Sequence, residues 1–431
     1  MRSLTWIAAA IVLGACSDVL DPSGSAPALS TIDGTAERAW NPATDGAPEL
    51  KHLFNRYVAM GTSVSMGWQS DGVLAASQAS SWPAQLSLRF QRTLTQPYIS
   101  GIGCRSPLVA PLSSGVRVSG EAAGTAAGAF LCDPLEPEVE LPVRNVAIAG
   151  ATTFNALNTT PETQTDAFYS KLYPRVLPPG ETQVSVMRAI DPTFVSVEHG
   201  ANEVLSARSG IAIPGVTIFQ YAQWTPLYTT LVDAARSESQ YGVLVGLIND
   251  AATFPGFRRG SEIWADRLTL LGGFHVSVDA NCDASQNLLF VPVRIPTAVA
   301  TGLGAKARGL PPVTFSCADD GLGVQDFVLT PAEVAIVNGQ MNQMNGFIRA
   351  AADRIGYATF DLEVLYGRSD LKPPYSTVQL MTSAQPYGPF ISLDGIHPND
   401  AGHTILAQAA MEAINAKYRV NHALPRIAAN D

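Results

Sequence analysis

Five short apolar runs punctuate the chain, at residues 57–60, 143–149, 193–198, 242–248 and 357–362. They suit strands buried on both faces of a parallel sheet. Between several of them apolar residues recur at helical spacing: 81–90, 225–237, 330–354 and 404–417. Thr330-Pro331 opens the third of these stretches, with Thr330 as N-cap and Pro331 at the first helical position. Alternating strands and helices predict an α/β fold: a three-layer α/β/α sandwich around a five-stranded parallel sheet.

Two stretches break the alternation. Residues 101–140 are loop-like, and residues 258–325 mix Gly and Pro with short β-like runs at 274–278 and 288–293. Both read as insertions near the sheet edge or the mouth of a site. A domain of residues 51–420 carrying these insertions, with a tail at 421–431, is therefore expected. There are no internal repeats.

Composition narrows the class. Of 431 residues, 46% are hydrophobic and 15% charged, which is globular rather than disordered. A net charge of −10, without a Lys/Arg-rich stripe, argues against nucleic acid as a partner. At the N-terminus, Arg2 precedes an apolar run over 4–13 that is too short to span a bilayer comfortably. It ends in Leu13-Gly14-Ala15-Cys16, which resembles the bacterial lipobox. Residues 1–15 are expected to be a lipoprotein signal peptide. Cys16 would be the lipidated first residue, and the Ser-, Pro- and Gly-rich stretch to residue 50 a flexible tether. Ser17 after the Cys favours the outer membrane of a bacterial envelope. No other segment is long and apolar enough to span a membrane.

Export exposes the remaining cysteines, Cys104, Cys132, Cys282 and Cys317, to an oxidising compartment. Four cysteines allow three pairings. Nearest-neighbour pairing would staple the two insertions. Neither pair has C-x-x-C spacing, so a zinc site is not expected.

The chemistry concentrates at the ends of the apolar runs, where α/β sheets place their ligands. In Asp394-Gly395-Ile396-His397-Pro398 a carboxylate and an imidazole stand three residues apart. Such a pair can take and return a proton while the carboxylate fixes the tautomer. The first run ends in Gly61-Thr62-Ser63-Val64-Ser65-Met66-Gly67, whose glycines would let a sharp turn expose Ser63. The spacing is not that of the G-x-S-x-G elbow. Gly150 follows the second run and could bring a backbone N–H to a developing oxyanion. The third run leads into Gly200-Ala201-Asn202-Glu203, where Asn202 could aim an amide or merely cap a helix. A two-metal phosphoesterase site is rejected, because the order of these residues is wrong and its partner motifs are missing.

Together these segments resemble the blocks of the SGNH (GDSL) hydrolase superfamily, over roughly residues 53–418 without the insertions. Two positions depart from the family pattern: Thr62 stands where Asp is usual before the nucleophile, and Glu203 where Asp is usual. The resemblance implies a flavodoxin-like sheet and a serine esterase or lipase acting on carboxylic esters, with no metal or organic cofactor. Ser63 would be the nucleophile, His397 the base and Asp394 its orienter. The N–H groups of Ser63 and Gly150 and the Asn202 side chain would form the oxyanion hole. The substrate would be a lipid, a short-chain acyl ester or an acetylated glycan. The competing reading is a non-catalytic envelope lipoprotein that binds glycan or a protein partner through its cleft and insertions. The presence of all five residues argues against it.

Lesser candidates have structural readings. Ser65 is expected to be structural, His403 to pack or lie at the surface, and His199 to make a local hydrogen bond. Asp361 could rival Asp394 but lacks the short spacing to a histidine. Trp68, Trp82 and Phe390 could line an acyl or sugar site, although buried aromatics more often serve the core.

Overall fold

A computed structural model describes residues 53–125, 130–321 and 323–420. Cys16, the signal segment, the tether and the tail lie outside the described residues.

Four parallel strands form the central sheet: β1 (Tyr57–Gly61), β2 (Phe194–Glu198), β3 (Gly242–Gly246) and, after two small sheets, β9 (Ala358–Asp361), in the spatial order β1-β2-β3-β9. β1 pairs with β2 from Tyr57 opposite Phe194 to Gly61 opposite Glu198. Every residue of β1, β2 and β3 is buried, which suits their largely apolar sequences.

The sheet has four strands, not the expected five. The run at 143–149 does lie along β1: Ala59 N–H donates to Arg144 O, Val146 N–H to Ala59 O and Ile148 N–H to Gly61 O, at 2.9–3.0 Å. Two side chains interrupt the ladder. Gly61 N–H donates to Gln183 Oε1 (3.2 Å), and Asn145 Oδ1 accepts from Ala147 N–H (3.2 Å). Side-chain acceptors that compete for backbone donors prevent a regular strand.

Nine helices matter for the site and its support. They are α1 (Ser63–Met66), α2 (Trp82–Arg89), α3 (Thr153–Asn158), α4 (Gln183–Ile190), α5 (Asn202–Leu205), α6 (Tyr221–Glu238), α7 (Val291–Ala307), α8 (Pro331–Ile355) and α9 (Asp400–Tyr418). α2 packs on α9, which covers β9 and β3. In a second group α6 packs against both α4 and α8, with α4 on β1 and α8 on β3 and β9. α8 begins as its sequence implies: Thr330 accepts from Glu333 N–H, and Pro331 needs no donor at the first position.

The stretch from 257 to 329 builds two small sheets. β4 (Phe257–Arg259), β6 (Leu288–Phe290) and β8 (Val328–Leu329) are antiparallel, while β5 (Val276–Val278) and β7 (Val313–Phe315) run parallel. The β-like run at 288–293 ends early, because α7 starts at Val291 with Pro292 in its first turn. Residues 101–140 contain the 3₁₀ turn Leu112–Ser114 and isolated bridges. The cysteines pair with their nearest neighbours, Cys104 with Cys132 and Cys282 with Cys317. Among the described residues, no helix is long and apolar enough to cross a membrane.

Candidate active site

β1 ends at Gly61, and the chain turns at once into α1, whose first residue is Ser63. A buried carboxylate holds this turn. Glu198, at the end of β2, accepts from Thr62 N–H (3.1 Å), the Thr62 hydroxyl (2.8 Å) and Ser65 N–H (3.2 Å). Thr62, one of the two departures from the SGNH pattern, thus serves as a donor to Glu198. Burial pushes the Glu198 carboxyl up to about 7, against the opposing pull of these donors. The sequence reading missed Glu198. Its one signal was an acidic residue ending an otherwise apolar strand.

The loop before α9 carries the second half of the site. Asp394 Oδ1 accepts from Ile396 N–H and His397 N–H, each at 2.9 Å, which winds Asp394-Gly395-Ile396-His397 into a tight turn. Gly395 stands at φ +74°, a left-handed conformation that suits glycine. Tyr366 Oη donates to Ile396 O (2.6 Å), and Asn399 caps α9 through Gly402 N–H (3.1 Å). His397 is therefore held from both sides of the turn.

The two halves meet. His397 Nδ1 lies 2.8 Å from Asp394 Oδ2, and His397 Nε2 lies 2.8 Å from Ser63 Oγ. A proton on Nδ1, facing the carboxylate, leaves Nε2 as acceptor for the Ser63 hydroxyl. Burial would raise the Asp394 carboxyl, but His397 and the backbone donors outweigh it and bring the group down to about 2. Asp394 therefore stays ionised across ordinary pH.

A further donor to Asp394 comes from a loop the sequence reading passed over. Asp71 N–H donates to Asp394 Oδ2 (2.9 Å), and the Asp71 carboxylate pairs with Arg105 (2.9 Å) and Arg117 (2.6 Å). Burial works to raise the Asp71 carboxyl, yet the two guanidinium groups hold it below its usual range. Arg105 and Arg117 belong to the first insertion. Neither spacing nor composition could have linked them to residue 394.

Asn202 lies against the turn that follows Gly150. Asn202 Nδ2 donates to Ala151 O (2.9 Å), which leaves its second N–H for another acceptor. Gly150 has φ +78°, and a Cβ there would lie 2.1 Å from Tyr169 Oη. Glu203, the second departure, accepts from Thr153 N–H (2.7 Å) and the Thr153 hydroxyl (2.5 Å), so it ties the 150–153 turn to α5. One cleft is lined by Ser63, Asn202 and His397 together, and Gly150 is not among its lining residues. It contains about 700 Å³ of free space, open solvent included.

The lesser candidates resolve into support. The Ser65 hydroxyl accepts from the buried Trp82 indole N–H (3.1 Å). Asp361 pairs with Arg349 (2.7 Å). His199 Nε2 meets Gln183 Oε1 (3.2 Å), and the guanidinium of Arg368 stacks on Phe390. Trp68 packs edge-on to Phe168 and lies near the His397 ring. His403, on α9, is fully buried, and neither ring nitrogen has a hydrogen-bond partner.

No protein-family model and no curated relative matches the chain. Among solved structures it is similar to an α/β hydrolase enzyme from the metagenome of Lake Arreo, Spain (12% identity, TM-score 0.35, covering 85% of this chain and 95% of that one). It is also similar to an acetylxylan esterase from Geobacillus stearothermophilus (10% identity, TM-score 0.34, 84% and 94% covered). Likenesses this slight carry no argument, and the functional reading rests on the site itself.

Proposed function

We propose that the protein is a serine esterase of SGNH type that hydrolyses carboxylic esters through an acyl-enzyme. The observation that carries this reading is the hydrogen-bonded series Ser63 Oγ, His397 Nε2, His397 Nδ1, Asp394 Oδ2, with both contacts at 2.8 Å. Nucleophile, base and orienter within hydrogen-bond reach form the arrangement that acyl transfer needs.

In the proposed mechanism Ser63 Oγ attacks the ester carbonyl as His397 Nε2 takes its proton. The C–O bond to the alcohol breaks, and the imidazolium returns the proton to the leaving oxygen. Water, activated by the same nitrogen, then releases the acid. Asp394 stays ionised and stabilises the imidazolium. The free N–H of the Asn202 amide and the backbone N–H groups of Ser63 and Gly150 are the proposed oxyanion donors. The fold proposed for this chemistry is the three-layer flavodoxin-like sandwich, with residues 144–148 along β1 in the place of a fifth strand. Within it, residues 51–420 form the hydrolase domain. Anchoring to a bacterial envelope through Cys16 belongs to the same proposal and rests on the first sixteen residues of sequence alone.

The test is hydrolysis of p-nitrophenyl acetate and butyrate by the wild-type protein and by Ser63→Ala. The variant should keep its fold and lose activity. Full activity in the variant would remove the assignment.

A further inference from the structure

The cleft that Ser63 and His397 open onto is almost wholly apolar. Beyond those two residues it runs between α5, the end of β3, the segment before β4, and α8. Its walls include Leu247, Ile248, Phe254, Phe257, Val337 and Met341. The few polar atoms in the wall are already engaged. The Thr62 hydroxyl donates to Glu198, the Tyr366 hydroxyl to Ile396 O, and one Asn202 N–H to Ala151 O. That leaves the second Asn202 N–H and Arg208, which is partly exposed, for any polar ligand. A sugar placed here would lose its hydration and find only these two side chains to replace it, a costly exchange. A hydrocarbon chain has no such requirement and gains from the burial.

We infer that this cleft binds the acyl chain of the substrate, and that the chain is an aliphatic one longer than acetyl. This rests on Ser63 being the acylated residue. Once Ser63 Oγ has displaced the alcohol, the acyl carbon is bonded to an oxygen that lines the cleft, so the chain enters the apolar space while the alcohol departs. His397 then deprotonates the water that cleaves the ester and frees the fatty acid. Phe257 of β4 and Leu329 of β8, which flank the second insertion, form one wall of this acyl site.

Each methylene buried in the transition state should raise kcat/KM by up to about fourfold. The experiment measures kcat/KM on p-nitrophenyl acetate, butyrate, octanoate and decanoate, with acetate release from acetylated xylan alongside. In parallel a fluorophosphonate probe reports on Ser63. The expected result is labelling of Ser63 and a kcat/KM at least about tenfold higher for octanoate than for acetate. Val337→Phe, which narrows the cleft, should lower the octanoate-to-acetate ratio, and Met341→Ala should move the optimum towards longer chains. Labelling of Ser63 with acetate or acetylated xylan as the best substrate would overturn the acyl-site inference and leave the esterase reading intact. Absence of both labelling and hydrolysis would overturn the two together.

Discussion

Asp71 and His397 donate to the same atom: the Asp71 N–H and His397 Nδ1 both meet Asp394 Oδ2, at 2.9 and 2.8 Å. The Asp394 carboxylate is thereby fixed between His397 and a loop anchored in the first insertion. The buried pair of guanidinium groups on Asp71 keeps that loop in place. Removing the Asp71 carboxylate would leave Arg117, whose side chain is 2% exposed, without its ion-pair partner. Asp71→Ala should therefore destabilise the protein by about 3 kcal/mol in urea unfolding, the range for breaking a buried pair. It should not abolish activity in the folded fraction, because the N–H survives. Unchanged stability would show that the ion pairs do not support the site.

Asp394→Asn should lower kcat by about 10³–10⁴ with little change in KM, because the wrong histidine tautomer faces Ser63. The carboxyl also bears on stability. Its folded value is depressed to about 2 from 3.8, so its contribution is complete above 3.8 and is lost as pH falls towards 2. The difference in stability between wild type and variant should therefore shrink by about 2 kcal/mol across that window. Steady-state kinetics and acid titration of unfolding test the two halves separately.

Glu198 titrates in the opposite sense. Burial raises it from 4.5 to about 7, so the folded state binds more protons than the unfolded one between these values. Stability should fall as pH rises through that interval, by about 3 kcal/mol for this group. Glu198→Gln should flatten the slope, measured as the difference between variant and wild type from pH 4 to 8. A slope unchanged by the substitution would place the titration elsewhere. Because Gln offers a single acceptor oxygen to the donors of Thr62 and Ser65, the variant should also reduce kcat through a loosened nucleophile turn.

His403 is a buried imidazole without partners, and burial lowers it from 6.5 to about 3. The unfolded chain therefore takes up a proton that the folded one refuses, and stability is lost as pH drops from 6.5 towards 3. His403→Leu should stabilise the protein, by about 2 kcal/mol more at pH 5 than at pH 8. Equal effects at the two pH values would mean that the ring is solvated.

What was legible in the sequence was local. Asp394 and His397 meet across a single turn, so their spacing alone could reveal the pair. Thr330-Pro331 marked a helix start through its own capping chemistry. Ser63 could be placed at a strand end by the apolar run before it. What was not legible depends on contacts between distant segments. Asp71 reaches Asp394 across 323 positions, and Glu198 reaches Thr62 across 136. The fifth strand failed because Gln183 and Asn145 take over hydrogen bonds that an apolar pattern does not report. α7 was hidden because the β-like apolar run at 288–293 crosses its start and Pro292 and Pro296 both fall within it; Pro292 lies in the first turn, where the missing donor costs little.

The central claim is that Ser63 is the residue that becomes acylated. The most direct measurement is peptide mass spectrometry of the protein after reaction with a fluorophosphonate probe, repeated on Ser63→Ala and on His397→Ala. The probe adduct should be found on Ser63 in the wild-type protein. It should be missing in Ser63→Ala and strongly reduced in His397→Ala, where the base is gone. An adduct on another serine, or a wild-type protein that remains unlabelled while folded, would contradict the account.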